Sequence, residues 1–106
     1  MIPILLFAQV AAAASEPVQC SLNDMPLAHC RLIDTVRPDG AHRMTFKADR
    51  AHVLFVGRSQ TGWWSGTLNG RPAMGYERNR GNVVFSTTDL KQRFAWWYPR
   101  DEHGTY

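Results

Sequence analysis

Apolar and polar residues alternate with a period of two along much of the chain, which is the pattern of half-buried strands. Residues 42–48 show it cleanly, with Met44, Phe46 and Ala48 on one face and Arg43, Thr45 and Lys47 on the other. Residues 31–36 (Arg-Leu-Ile-Asp-Thr-Val) and 82–87 (Asn-Val-Val-Phe-Ser-Thr) read as further strands. Pro38-Asp39-Gly40 and Asn79-Arg80-Gly81 supply turn residues beside them. Residues 52–56 are more evenly apolar, which predicts a central strand covered on both sides, and 57–62 read as the turn that follows. Thr88-Asp89 either bends the chain or caps a short helical turn over 90–93. Residues 94–98 form a last strand, with Phe94, Trp96 and Tyr98 opposite Ala95 and Trp97, and Pro99 ends it.

The strongest local signal is Asn69-Gly70. A two-residue type I′ turn needs φ > 0 at both central positions, and Asn and Gly tolerate that best. The turn fixes a register in which Leu68 faces Arg71, Gly66 faces Ala73, Trp64 faces Gly75 and Trp63 faces Tyr76. One face of this hairpin then carries Trp64, Gly66, Leu68, Ala73 and Gly75. The other carries Trp63, Ser65, Thr67, Met74 and Tyr76. Each face holds an indole, so the pattern alone does not decide which tryptophan meets water. Pro72 lacks an N–H for a ladder, which predicts that 71–78 starts at an edge or a barrel corner.

About seven short strands, with turn signals at even spacing and no long helical period, define an all-β class. The expected architecture is a small antiparallel meander forming a barrel or a two-layer sandwich. At 106 residues and 44% hydrophobic, the chain holds one domain of ordinary globular composition. No internal repeat is present. The two Trp-Trp pairs, at 63–64 and 96–97, have unlike flanks.

The first residues change the picture. Met1 to Val10 and the Ala11–Ala14 run make an apolar stretch ending in small residues, as in a secretory signal. Cleavage after Ala14 leaves 15–106 as the β domain, with a polar tail over about 100–106 that is expected to fray. The stretch is shorter than the roughly 20 residues a membrane-spanning helix needs. Cys20 and Cys30 are the only cysteines, and in an exported chain they are expected to form a disulfide. Metal ligation by these cysteines with His29 lacks the usual ligand spacing. The expected location is therefore periplasmic or extracellular, with no metal or cofactor.

Candidate chemistry is sparse. The chain has no G-x-S-x-G, H-E-x-x-H, Walker or dinucleotide-binding motif. Binding is the better-supported role, because Trp, Tyr and Arg are the residues enriched at binding hot spots. The candidate binding residues are Trp63, Trp64, Tyr76, Arg78, Arg80, Trp96 and Trp97, and the expected partner is a protein or glycan of the cell envelope. An alternative is a small hydrolase in which His42 or His52 works with Asp49. A further alternative is an OB-like nucleic-acid binder, against which stand a formal charge of only +3 and the predicted export.

Overall fold

The computed structural model describes residues 14–78 and 81–101. Residues 1–13 of the expected 1–14 signal segment, Asn79 and Arg80 of the second predicted turn, and the tail beyond Asp101 lie outside the described residues. Ten strands form one antiparallel sheet: β1 (Glu16–Pro17), β2 (Gln19–Leu22), β3 (Met25–Leu27), β4 (Arg31–Val36), β5 (His42–Ala48), β6 (Ala51–Gln60), β7 (Trp63–Leu68), β8 (Arg71–Arg78), β9 (Asn82–Thr87) and β10 (Arg93–Trp97). A short 3-10 turn, Pro99–Asp101, follows. The chain is all-β, as its alternation predicts. The meander from β4 to β10 curls into a half-barrel, in sheet order β1-β4-β5-β6-β7-β8-β9-β10-β2-β3. There is one continuous sheet rather than two stacked layers.

The strands beyond the expected seven come from the first part of the chain. β2 and β3 form a hairpin turned by Asn23 and Asp24 at positive φ, in a stretch with no alternating pattern of its own. β1 pairs with β4 while β2, one residue further on, pairs with β10. One continuous stretch thus bridges both ends of the sheet. The Cys20–Cys30 disulfide ties that stretch to the start of β4, and Val18 N–H donates to the Cys30 carbonyl at 3.0 Å.

The Asn69-Gly70 turn has φ of 50° and 80°, and the β7–β8 register is the one that a two-residue turn dictates. The Asn69 side chain also accepts from Leu54 N–H at 2.8 Å, which fastens the hairpin to β6. β8 begins at a corner: its first pair with β9 is Ala73–Thr87, so Pro72 precedes that ladder and its carbonyl accepts from Thr88 N–H. β6 departs from expectation. It runs on through Gly57 to Gln60, and the turn is Thr61-Gly62. Val53 and Phe55, on the concave side, are buried, whereas Leu54 and Val56, on the outer side, are half-buried.

The core lies on the concave side. Leu32, Met44, Phe46, Val53, Phe55, Leu68, Phe85 and Phe94 are essentially without solvent contact. Phe55 and Phe85 stack with centroids 3.9 Å apart and planes within 4°. That stack needs bare backbone beneath it. A Cβ on Gly75 would sit 2.5 Å from the Phe85 ring, and one on Gly57 would sit 2.8 Å from the Phe55 ring. The glycines are therefore a packing requirement of the aromatic core.

Candidate functional site

The core decides the direction of each tryptophan. Trp64 points inward, edge-on to both Phe55 and Phe85, with its Cβ over the space left by Gly75. Alternation then forces its neighbour outward, and Trp63 stands 58% exposed. The same rule places Trp96 inside, 6% exposed against Phe46, and turns Trp97 to the outer face, where it is half-buried. Tyr76 and Arg78 also face outward. Of the expected binding residues, the structure brings Trp63 and Tyr76 together, their ring centroids 6.3 Å apart and tilted by 50°. Trp64, half-buried, and Trp96, 6% exposed, pack against the core on the opposite face.

Strand register builds the surroundings of the Trp63–Tyr76 pair. One row across the outer face runs Gln60, Trp63, Tyr76, Val84, Ala95 and Ser21. The next row runs Arg58, Ser65, Met74, Ser86 and Arg93. Met74 is 50% exposed beside the two rings. A groove of about 500 Å³ lies here, bounded by Trp63, Met74, Tyr76, Ser86, Leu90 and Arg93 among others. Met74 already shares a hairpin face with Trp63 and Tyr76 in the sequence. Leu90 and Arg93 had no local signal, because the β9–β10 turn brings them in.

That turn is a bend rather than a helical turn, with Leu90 at φ 63° and 83% exposed on the rim. Its frame is the buried Thr87, whose hydroxyl donates to Asp89 Oδ1 at 2.6 Å and accepts from Gln92 N–H at 3.0 Å. Lys91 N–H also donates to Asp89. The Thr87 hydroxyl first, and then the Lys91 N–H, hold the Asp89 carboxyl below its ordinary range. Because the folded state favours the ionised carboxylate, its stabilisation is present above the ordinary carboxylate range and is lost as pH falls through the lowered value. Thr87→Val, which removes the buried hydroxyl, is expected to cost about 1–3 kcal/mol. It should also flatten the acid limb of the stability profile. Urea midpoints across the acid range check both, and an unchanged acid limb would show that Thr87 does not set the Asp89 titration.

The outward register of the strands carries cations alone, whereas the inward register mixes acids with Arg71. On strands, the charged residues with outward register are Arg31, Arg43, Lys47, Arg58, Arg78 and Arg93, all cationic. The strand acids Glu16, Asp34 and Glu77 share the inward register, opposite Leu32, Met44 and Val83. Two of the outer cations have partners in turns: Arg58 meets Asp39 at 3.3 Å, and Arg93 meets Asp24.

Two polar pairs form on the inward register, His42 with Asp34 and Tyr98 with Glu16. His42 Nδ1 lies 3.1 Å from Asp34, and its ring meets Trp64 edge-on at 5.0 Å. Tyr98 donates its hydroxyl to Glu16 at 2.9 Å. Burial above all, and then this bond, push the Tyr98 phenol up. Among the described hydrogen bonds, neither His42 nor His52 pairs with Asp49. Lys47 stands opposite His52, whereas His42 stands opposite Gly57 on the other face, and Asp49 bonds His29 at 2.7 Å. Among the described residues no group of three or more His, Cys, Asp or Glu side chains is placed to hold a metal ion.

The fold and outer face together define a disulfide-stapled half-barrel with an aromatic and cationic exterior. The chain matches no protein-family model, no curated protein and no solved structure.

Proposed function

We propose that the chain is an exported binding protein that holds a cell-envelope partner, a protein or a glycan, on the outer face of β7–β10. The observation that carries this reading is the pairing of Trp63 with Met74 and Tyr76 on a rigid sheet. Folding leaves these large apolar side chains in water, side by side and lining a groove. Contiguous exposed apolar surface rimmed by polar groups is the usual mark of an interaction site. Export is supported by the apolar first residues and by the disulfide, since disulfides persist in oxidising compartments.

The test is capture from cell-envelope extract with the domain from Ser15 onward as bait, compared with its Trp63→Ala variant. Trp63 is exposed, so the variant is expected to melt within a few degrees of the parent and to retain its disulfide. A partner held by the parent and lost by the variant supports the reading. A partner held equally by both would place binding elsewhere on the molecule and overturn it.

A further inference from the structure

We infer that the outer face of β7–β10 takes an anionic polysaccharide, with sugar rings against Trp63 and Tyr76 and acid groups on Arg78 and Arg93. The inference rests on the reading above that this face is the binding surface, and adds the chemical class of its ligand.

Three properties of the face select that class. The first is what it offers for hydrogen bonding. Outer-face side chains stand perpendicular to a sheet whose N–H and C=O groups are used within its plane. An extended peptide laid here finds no main-chain partner of the kind that sheet edges provide. Next to the rings the face presents Ser86, Thr88 and the Arg93 guanidinium. A sugar has an apolar C–H face for a ring and hydroxyls for such groups, so it matches both parts of the groove.

The second property is charge. Every charged strand residue with outward register is cationic, and Arg78 has no ion pair or hydrogen bond among the described residues. Arg93 contacts Asp24 through one terminal nitrogen, and a guanidinium carries five donors in all. The complement of this surface is an anion. A second copy of the chain is disfavoured, because a two-fold contact sets the same patch, and so the same cations, against itself.

The third property is span. Arg78 lies four residues along β8 from Met74, and Arg93 lies two strands across from Met74 through Ser86. Strand rise and spacing put the two Arg Cα positions about 16 Å apart, with the aromatic pair alongside the path between them. A ligand that meets both arginines and both rings is a chain rather than a single small acid.

The experiment measures fluorescence anisotropy of labelled oligomers of polygalacturonate, heparin, dextran and oligo-dT, each titrated with the oxidised domain. At least one of the two acidic polysaccharides is expected to bind, more weakly as salt is added, while neutral dextran does not. Trp63→Ala and Arg78→Gln are each expected to weaken binding about tenfold or more. Arg43→Ala, an outward cation on β5 away from the groove, is expected to leave it unchanged. Equal loss with Arg43→Ala would mean diffuse charge attraction and would overturn the inference. So would dextran binding as tightly as the acidic chains, or oligo-dT binding tighter than both with the same dependence on Trp63 and Arg78. Failure of both acidic polysaccharides overturns the chemical class. If Trp63→Ala still abolishes partner capture in that case, the binding face itself stands.

Discussion

Phe85→Ala is expected to lower the unfolding free energy by about 3–5 kcal/mol, the cost of removing a fully buried aromatic ring that its surroundings cannot replace. Phe85 has no solvent contact, stacks on Phe55 at 3.9 Å and supports the edge of Trp64 at 5.8 Å. Its loss takes the stacking partner from Phe55 and one of the edge partners from Trp64. A domain of this size is stable by about 5–15 kcal/mol, so the variant should be unfolded to a measurable extent at modest urea concentrations. Its melting temperature should fall by about 4–8 °C for each kcal/mol lost. The bare backbone under the ring gives a sharper test. Gly75→Ala on its own drives a methyl toward Phe85 and the Trp64 Cβ and should also destabilise. In the double variant Gly75→Ala/Phe85→Ala that methyl enters space vacated by the ring. The double cost is therefore expected to be smaller than the sum of the single costs. Additive costs from urea unfolding would mean that Gly75 is required for something other than the ring above it.

This packing also explains why the candidate site was only half legible in the sequence. The Asn69-Gly70 turn is a local instruction, since two adjacent residues must adopt positive φ, and it fixes all six β7–β8 pairs. The grouping of Trp63, Met74 and Tyr76 on one face follows from it. Which face looks outward does not follow, because that is settled by Phe55 and Phe85 on other strands and by the space over Gly57 and Gly75. The same holds for Trp96 and Trp97, whose directions depend on Phe46. The pairings of β1 with β4 and of β2 with β10 join residues far apart in sequence, as in the Glu16–Tyr98 contact, and leave no periodic mark in segments of two to four residues. Sequence alternation therefore yields the meander but not the stretch that bridges its ends. Nor does it reveal Leu90 and Arg93, which reach the groove through the Thr87–Asp89 bend.

Replacing both cysteines, Cys20→Ala/Cys30→Ala, is expected to cost about 2–4 kcal/mol, and the loss should be uneven across the fold. The chain-entropy share for so short a loop is just under about 3 kcal/mol. The remainder is packing, since both cysteines are buried in the core cluster. The bond acts where the sheet is weakest: β1 contributes only two residues to its pairing with β4, and β3 only three to its pairing with β2. Without it, amide exchange should accelerate first in β1–β3 while β6–β8 keep their protection, because local opening follows local contact. Equal acceleration in every strand, with no lead in β1–β3, would show that the bridging stretch is part of the cooperative core and is not held mainly by the disulfide. The β2–β3 turn also holds the far side of the groove. Asn23 accepts from Arg93 N–H at 2.8 Å, and Asp24 pairs with the Arg93 guanidinium. Reduction or removal of the disulfide is thus expected to loosen Arg93 while leaving Trp63 and Tyr76 on their intact hairpin. Binding to an acidic polysaccharide should then weaken, with a shallower dependence on salt, whereas the apolar part of the face should still capture its partner.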